Sequence, residues 1–219
     1  MFKWFSKKEQ VLEELSLSKI GTDLHSHLIP GIDDGARDME ASILLIKKFI
    51  DLGFKKIITT PHIMSDLYQN TPEIINSGLS KLKQELVKQE IDIIVEAAAE
   101  YYVDYNFEQK IGAEKFMTFG DKNILIEFSF LEAPRNMYDI IFKLQLEGYK
   151  IVLAHPARYR YFSLDDYNAL IERGVLFQLN LLSLIGYYSK EVKLNAELLI
   201  KNNFISYVGT DCHNKNHAQ

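Results

Sequence analysis

The sequence alternates between two kinds of segment from residue 20 to residue 209. Short runs rich in β-branched residues indicate buried strands, and longer runs with an apolar residue every third or fourth position indicate amphipathic helices. Strands that alternate with helices predict an α/β fold with a parallel sheet, which is either closed into a barrel or open and doubly wound. The seven predicted strands are 20–27, 55–60, 91–99, 123–128, 150–154, 175–179 and 205–209.

Start and stop signals bound the predicted helices. Asp38 is a preferred N-cap residue and precedes apolar positions that recur until Gly53. Thr71 followed by Pro72 marks the start of a second helix in the same way. Further helices are predicted at 134–148, 163–174 and 189–202, and a Tyr-rich insertion that contains a short helix is predicted at 101–120.

Length and composition indicate one domain. The chain has 219 residues, of which 47% are hydrophobic, so it can bury one sizeable core. Neither a repeat nor a linker-like stretch divides it. We therefore predict a single domain at 20–219, preceded by an amphipathic N-terminal extension at 1–19 that carries Val11, Leu12 and Leu15.

Charge and cysteine content exclude several classes of protein. The net charge of −5 offers no basic face to nucleic acid or to an anionic membrane. No apolar run approaches the ~18 residues of a membrane-spanning helix, and the N-terminus lacks the features of a signal peptide. The single cysteine, Cys212, excludes an internal disulfide and favours a cytoplasmic location. These features leave the oligomeric state open.

Metal-binding residue types follow most of the predicted strands. In a parallel barrel the carboxyl ends of all strands form one rim, where active sites lie, so the placement of these residues favours the barrel. A histidine before a proline, as at His62 or His155, is by itself more often a structural loop residue. Because one ion takes about four protein ligands, nine candidates together indicate two or three ions. The candidates are His25, His27, His62, His155, His213, Asp34, Glu100, Glu127 and Asp211.

The segment DLHSHLIPGIDDG at 23–35 is the densest part of this pattern. Residues two apart in a strand point to the same side, so Asp23, His25 and His27 are predicted to share one face. Two imidazoles with a carboxylate favour Mn, Fe or Zn. Asp33 and Asp34 follow in a turn that is expected to fold back over the same place.

Six motifs in this order resemble a known superfamily. They are the HxH of DLHSH, TTPH, the acid of AAAEYY, the acid of LIEF, the HP of LAHPARY and the DxH of GTDCH. Together they resemble the metal motifs of the PHP (polymerase and histidinol phosphatase) superfamily. The longer strings HSHLIPGIDDGA, TTPH and AHPARY are similar to its CpsB/CapC-type branch of bacterial metal-dependent protein-tyrosine phosphatases of capsule and exopolysaccharide synthesis. The resemblance covers residues 20–214 and implies a distorted seven-stranded barrel with a trinuclear metal cluster.

The resemblance also implies how the ligands are shared among three divalent ions. Manganese is expected first, with Fe, Zn and Mg as alternatives, because mixed imidazole and carboxylate shells accept all of them. The four carboxylates among the predicted ligands carry four negative charges, and three divalent ions carry six positive charges. The net charge of the cluster is then +2, which suits binding of a phosphate dianion and a hydroxide. The implied sets are His25, His27, Asp211 and Glu100 for the first ion, Glu100, Glu127 and His155 for the second, and Asp34, His62 and His213 for the third.

The chemistry expected of such a cluster is phosphomonoester hydrolysis. A water that bridges two ions loses its proton near neutral pH and attacks phosphorus in line with the leaving oxygen. Glu100 and His155 are expected to be catalytic as ligands, and Arg158 is expected to hold the phosphate through bidentate hydrogen bonds. Arg135 and Arg160 are weaker alternatives for that role. Tyr102 and Tyr159 are expected to stack against a phosphotyrosine ring, although loop aromatics more often plug a barrel mouth.

Two features depart from the branch. Its members continue beyond the DxH motif and carry a further arginine, whereas residues 214–219 read NKNHAQ, so we expect a truncated C-terminus or a missing phosphate contact. Cys212 lies inside the DxH motif and is expected to be a buried filler. A cysteine-dependent tyrosine phosphatase would need an arginine six positions later, where this chain has Ala218.

Three functions compete on this basis. The first is a metal-dependent phosphatase acting on phosphotyrosine in the tail of a bacterial tyrosine kinase of capsule synthesis. The second is a histidinol-phosphatase-like enzyme acting on small phosphate esters, which predicts faster turnover of alkyl phosphates. The third is a metal-stabilised binding module without turnover. A nucleic-acid substrate is disfavoured by the charge.

Overall fold

The computed structural model describes residues 17–218. Strands and helices alternate along this part of the chain, as predicted. The strands are β1 Thr22–Asp23, β2 Lys56–Thr59, β3 His62–Ile63, β4 Ile94–Ala97, β5 Glu100–Tyr102, β6 Asn123–Glu127, β7 Lys150–Ala154, β8 Leu176–Asn180 and β9 Ile205–Gly209. The helices are α1 Met39–Asp51, α2 Pro72–Lys88, α3 Tyr105–Lys110, α4 Met137–Leu146, α5 Leu164–Glu172, α6 Leu181–Leu184 and α7 Lys190–Lys201, with a 3₁₀ turn at Pro156–Arg158.

The strands form two parallel sheets. The smaller sheet has the order β1-β2-β4 and the larger has the order β3-β5-β6-β7-β8-β9. The chain passes from the smaller to the larger sheet twice, between β2 and β3 and between β4 and β5. Beyond β1 and β9, a parallel bridge joins Ser26 to Cys212, and the His27 N–H donates to the Cys212 carbonyl at 3.0 Å. Hydrogen bonds therefore connect the segment after β9, at one edge of the larger sheet, to the segment after β1 of the smaller sheet.

The α/β class with parallel sheets is confirmed, and the predicted strand boundaries are corrected in part. Residues 17–218 contain nine strands rather than seven, because two predicted strands are each followed by a short additional one, β3 and β5. Pro61 interrupts the first of these pairs, since proline has no N–H for the ladder. The predicted strand 20–27 is reduced to the two residues of β1, after which the chain bends and only the bridge at Ser26 remains.

Helix capping follows the sequence signals closely. The Asp38 carboxylate accepts a hydrogen bond from the Ala41 N–H at 2.9 Å, and Thr71 caps α2. Helix α4 begins at Met137 and not at Pro134, because residues 134–136 form a separate turn closed by the Met137 N–H on the Pro134 carbonyl. Helix α3 is the short helix predicted in the insertion, whereas α6 was not predicted.

Both faces of the larger sheet are buried, as is typical of parallel sheets. Ile124 and Ile126 of β6 pack in one cluster with residues of α4, α5 and α7, and Leu125 between them packs in another with Val152. A third cluster packs α1 and α2 against β2 and β4. Helices thus cover the outer faces, and the carboxyl ends of the strands stay open for polar side chains. Within residues 17–218 no helix is long and apolar enough to cross a bilayer.

The predicted extension has only its last residues in the described part of the chain. Val11, Leu12 and Leu15 lie outside it, so the amphipathic segment they define is not described. The Leu17 N–H donates to the Leu52 carbonyl at 2.8 Å, next to the C-terminal end of α1. The boundary between extension and domain remains a prediction.

Candidate metal centre

Glu100, the first residue of β5, lies at the centre of the predicted cluster. Its side chain is completely buried and is surrounded by four imidazoles. The Oε2 atom lies 3.1 Å from His25 Nε2, 3.1 Å from His62 Nδ1 and 3.5 Å from His27 Nε2, and the Oε1 atom lies 3.0 Å from His155 Nε2. These residues come from four strand ends that are far apart in sequence. The parallel topology therefore brings them together as the sequence predicts.

The remaining predicted ligands lie around this centre. Glu127 Oε1 is 3.4 Å from His155 Nε2, and Asp211 Oδ1 is 3.5 Å from His25 Nε2. Asp34 Oδ1, which is half exposed, is 3.5 Å from His213 Nε2. All nine predicted ligands thus form one continuous group of side chains.

Three subsets have donor atoms within 4.8 Å of one another. They overlap the predicted ligand sets, with three differences. Asp211 is absent from the first set, His27 also joins the third set, and His62 joins Glu100 and Glu127 in place of His155. His155 still faces both of those carboxylates. The subsets are His27, Asp34, His62 and His213; His25, His27 and Glu100; and His62, Glu100 and Glu127.

The chemistry of this donor set fits divalent metal ions. His62 Nδ1 and Glu100 Oε2 are buried and lie 3.1 Å apart, but neither makes a hydrogen bond of good geometry among the described residues, and an unpaired buried polar atom is costly. Imidazole nitrogens and carboxylate oxygens are ligands that Mn, Fe and Zn share. The unpaired atoms point into the cluster, where an ion would satisfy them.

The pKa values of the clustered side chains also favour binding of cations at this site. Burial acts against ionisation of Glu100, but the charges of His25 and His62 outweigh it and hold the Glu100 pKa well below its usual value. Burial, together with the charges of Glu100 and Asp211, raises the pKa of Glu127 well above its usual value. Burial lowers the pKa of His155 to about 4, so this imidazole is neutral and available as a ligand near neutral pH.

The backbone is strained where two of the ligands leave their strands. His155 has φ 35° and Asp211 has φ 52°, in the left-handed region that residues other than glycine rarely adopt. His155 follows β7 directly, and Asp211 follows β9 with Thr210 between them. Strain of this kind concentrates at functional sites, where the surrounding structure enforces it. It turns both side chains toward the cluster.

Asp33 supports the cluster although it was not a predicted ligand. Its carboxylate is 2.8 Å from His27 Nδ1 and accepts hydrogen bonds from the Gly35 N–H at 3.0 Å and the His62 N–H at 3.1 Å. A carboxylate behind an imidazole fixes the orientation of the ring and leaves Nε2 for a metal. The Asp-rich turn in the sequence signals this role only in retrospect, since either aspartate fits the turn.

Two carboxamide side chains on β8 form hydrogen bonds to His25 and Asp211 of the cluster. Gln178 Oε1 is 2.8 Å from His25 Nδ1, and Gln178 Nε2 donates to Asn180 Oδ1 at 3.0 Å. Asn180 Nδ2 in turn donates to Asp211 Oδ2 at 2.6 Å. Polar residues at alternate positions of an otherwise apolar strand, FQLN, are the signal that would have found this pair.

A cavity of about 320 Å³ opens over the cluster. Arg158 projects into it from the 3₁₀ turn, and its Nη1 atom is 3.3 Å from Asp211 Oδ2. Neither alternative arginine lines the cavity, and Arg160 instead pairs with Glu191 at the surface at 2.6 Å. The lining residues are Asp34, His62, Glu127, Phe130, His155, Arg158, Tyr188, Asp211, His213, Asn214 and His217.

The two predicted stacking residues are not part of this lining. Tyr159 is completely buried, and its hydroxyl accepts a hydrogen bond from the Phe128 N–H at 3.0 Å. It is a core residue, so its ring does not face the cavity as the sequence analysis expects of a residue that stacks on a substrate. Tyr102 is half-buried on β5, opposite Glu127 in the register, and also lies outside the lining. Phe130 and Tyr188 take the places expected for these tyrosines.

Two further residues near the C-terminus, His217 and Cys212, lie next to Asp211 in space or in sequence. His217, the sixth histidine, lines the cavity with Nδ1 3.2 Å from the Asp211 carbonyl oxygen, and the sequence analysis did not select it. Cys212 is fully buried with its Sγ 3.5 Å from the Asn214 carbonyl. That environment agrees with the expected filler role, and burial raises the pKa of its thiol.

Comparison with known proteins identifies the family. Residues 21–219 match the family described as capsular polysaccharide synthesis, CpsB/CapC. The chain belongs to the CpsB/CapC family. The resemblance found in the sequence motifs is thereby confirmed.

Curated members of the CpsB/CapC family include named tyrosine phosphatases. The chain is 34% identical over 196 residues to the tyrosine-protein phosphatase YwqE of Bacillus subtilis, with 88% of this chain and 77% of that protein covered. It is 26% identical over 202 residues to the tyrosine-protein phosphatase CpsB of Streptococcus agalactiae serotype III, with 88% and 82% covered.

Solved structures agree with the assignment to the CpsB/CapC family. A chain from the crystal structures of YwqE from Bacillus subtilis and CpsB from Streptococcus pneumoniae, described as unique metal-dependent tyrosine phosphatases, superposes with a TM-score of 0.84 at 32% identity. It covers 90% of this chain and 81% of that one. A putative histidinol phosphatase from Listeria monocytogenes shares only the fold, with a TM-score of 0.51 and 13% identity over 90% of this chain and 96% of that one.

Proposed function

We propose that this chain is a metal-dependent phosphomonoesterase that hydrolyses phosphotyrosine in proteins. The observation that carries the proposal is the convergence of nine imidazole and carboxylate ligands beneath a cavity that contains one arginine. The names of the family relatives support phosphotyrosine as the substrate. Within that class, the family's description in capsule synthesis favours a tyrosine kinase of that system as the phosphorylated partner.

We infer that three ions occupy the centre, with manganese as the first choice. The three overlapping ligand subsets support this number. Glu100 lies within 3.5 Å of four histidines and is the ligand best placed to be shared. His155 and Asp211 complete the sets from the strained ends of their strands.

The proposed fold is a single domain, 20–219, built on a distorted barrel of seven strands. If β2 with β3 and β4 with β5 are each counted as one interrupted strand, seven remain. The bridge between Ser26 and Cys212 and the bond from the Asp211 N–H to the His25 carbonyl at 2.7 Å support closure between the first and last strands. A cytoplasmic location is part of the proposal, supported by one unpaired, buried cysteine.

The bound ions and the protein side chains have different roles in the proposed reaction. Divalent ions, when bound, acidify a coordinated water and neutralise charge on the phosphate. Arg158 donates its planar fork of N–H groups to the phosphate oxygens, which orients phosphorus for in-line attack. Asp33 and Gln178 hold the rings of His27 and His25 so that their Nε2 atoms face the centre.

A phenolate leaving group reduces the need for a general acid in the protein. A phenolate leaves as an anion whose conjugate acid has a pKa of ~10, so it needs less protonation than an alkoxide. No general acid is therefore assigned. This difference also predicts that aryl phosphates are hydrolysed faster than alkyl phosphates at this site.

The proposal is tested by comparing two substrates with and without added Mn. A phosphotyrosine peptide should be hydrolysed, histidinol phosphate should be hydrolysed much more slowly, and chelation of the metal should abolish both activities. Preference for histidinol phosphate would favour the small-molecule phosphatase. Bound metal without turnover of either substrate would leave only a binding module. A His155→Ala variant serves as the matched control and should lose turnover while it keeps the fold.

A further inference from the structure

We propose that Phe130 and Tyr188 form an aromatic clamp that positions the guanidinium of Arg158 for binding phosphate. The inference rests on the proposed function, in which Arg158 is the phosphate ligand. It adds two positioning residues to the site. Neither belongs to the metal-ligand motifs, and neither was selected from the sequence.

The geometry places the guanidinium carbon of Arg158 over two aromatic rings. Arg158 Cζ lies 4.1 Å from the centroid of Phe130 and 4.5 Å from the centroid of Tyr188. Both distances are well within the ~6 Å at which a cation is attracted to an aromatic face. Phe130 comes from the loop after β6 and Tyr188 from the loop between α6 and α7, so two separate segments converge on one side chain.

The clamp leaves most of the guanidinium free for a ligand. The side-chain hydrogen bond of Arg158 among residues 17–218 is the one from Nη1 to Asp211 Oδ2, at 3.3 Å. The same oxygen already accepts a shorter bond, 2.6 Å, from Asn180 Nδ2. Because arginine has five N–H donors, most of its donors remain for the oxygens of a phosphate. The contacts with Phe130 and Tyr188 are cation–π contacts, which depend on the positive charge of the guanidinium and occupy no hydrogen bond in the structure.

Each ring is itself held in place by the site. The Tyr188 hydroxyl accepts a hydrogen bond from Asn180 Nδ2 at 3.1 Å and lies 3.4 Å from Asp211 Oδ2. Phe130 stacks on the buried ring of Tyr159 with centroids 5.9 Å apart and an interplanar angle of 26°. A change in either ring should therefore act on Arg158 without removing a metal ligand.

Preorganisation is the physical reason for such a clamp. Arginine has a long, flexible side chain, and fixing it on binding costs rotamer entropy. The side chain of Arg158 is 25% exposed and makes a single ion pair, so the two rings are its main further restraint. Two rings that restrict the guanidinium before phosphate arrives reduce the entropy lost on binding.

The test measures the affinity of the Mn-loaded protein for inorganic phosphate by titration calorimetry. Phe130→Leu and Tyr188→Leu should each weaken phosphate binding about fivefold to tenfold. Phe130→Tyr, which keeps a ring, should recover most of the affinity that Phe130→Leu loses. Leu131→Ala is the matched control, because Leu131 is the next residue, is 89% exposed and does not line the cavity, and it should bind phosphate like the wild type.

A double-variant comparison separates positioning from direct contact with the ligand. In an Arg158→Gln background, Phe130→Leu should change phosphate affinity less than twofold, because its effect passes through the arginine. An equal loss in both backgrounds, unchanged affinity in Phe130→Leu, or no phosphate binding by the loaded wild type would overturn the clamp. Metal content and melting temperature of each variant show whether the centre itself has changed.

Kinetics with a phosphotyrosine peptide add a second readout. The clamp predicts that Phe130→Leu raises KM several-fold and lowers kcat less. Phosphate affinity is measured without turnover, so the two proposals can fail separately. A protein that binds phosphate through the clamp and hydrolyses no phosphotyrosine contradicts the proposed function alone.

Discussion

At the scale of single residues, the site depends on one buried carboxylate and on the groups that orient its imidazole neighbours. Glu100 touches four histidines, and two of those rings, His25 and His27, are held from behind by Gln178 and Asp33. The proposed ligands are histidines and acids at strand ends, so their convergence could be predicted from the sequence, whereas their role as ligands stays a prediction. The groups behind them are ordinary polar residues, which only the three-dimensional structure distinguishes.

The first prediction at this scale concerns Gln178. Gln178→Leu removes the acceptor for His25 Nδ1 and the donor to Asn180 Oδ1. We expect the affinity for Mn to fall by about 10- to 100-fold, the usual effect of losing the hydrogen bond behind a ligand. Competition with a chelating dye measures this affinity. Gln109→Leu, at an exposed position of α3, is the control, and equal affinities in the two variants would contradict the assigned role.

The second prediction concerns Gly35. A Cβ atom at this position would lie 2.1 Å from the His27 carbonyl oxygen and 2.4 Å from the His27 Cβ atom, so the ligand would have to move. A displacement of about 1 Å near a reacting centre costs on the order of 100-fold in rate. Gly35→Ala should therefore lower kcat for a phosphotyrosine peptide by about that factor. Normal turnover in a folded variant would show that the position of His27 is not critical.

The correction at Tyr159 shows the limit of prediction at this scale. Arg158 and Tyr159 are adjacent, so the sequence placed both at the cavity. The 3₁₀ turn instead directs Arg158 outward and Tyr159 into the core, where the Phe128 N–H is its partner. Neighbouring residues in an irregular turn have no fixed periodicity, and the sequence therefore gives no rule for which one faces the ligand.

At the scale of elements, strands were located by their β-branched runs and helices by their caps, and the ends of strands were the least predictable parts. The ladder stops early in β1, and β3 and β5 appear as short additions, because the chain bends where ligand side chains must turn toward the centre. Helix α4 starts three residues after its predicted start, because residues 134–136 form a separate turn. Hydrophobic periodicity reports which face is buried and does not report such bends.

The packing of α4 provides a prediction at this scale. Leu144 is fully buried against the larger sheet, whereas Leu146 on the same helix is 69% exposed. Leu144→Ala should lower the free energy of unfolding by about 2–5 kcal/mol, because it leaves a cavity in the core. Leu146→Ala should change it by about 0.5 kcal/mol or less. Urea unfolding of the metal-loaded protein measures both, and similar losses would contradict the assigned packing.

The N-terminal cap of α5 provides a smaller, independent prediction. Ser163 and Asp166 form a reciprocal capping box, in which each side chain bonds the backbone N–H of the other. Ser163→Ala should destabilise the protein by about 1 kcal/mol. Ser80→Ala, at an exposed position within α2, is the control and should be neutral or slightly stabilising, since alanine favours helix. The same unfolding assay compares them, and no difference would mean that the cap contributes nothing.

At the scale of the whole molecule, a parallel arrangement of strands explains why residues almost two hundred positions apart share one site. His25 and Asp211 meet because the first and last strand regions are hydrogen-bonded to each other. The sequence predicted this convergence from the rule that strand ends form one rim. It did not predict the division into two sheets, which depends on how the strands bend and twist in three dimensions.

The most direct test of the central claim is anomalous diffraction at the Mn absorption edge from crystals of the Mn-loaded protein. We expect peaks at about 2.0–2.3 Å from ligand atoms of Glu100, of His25 and His27, and of His62 and His213. Peaks elsewhere on the surface, or none among these side chains, would contradict it.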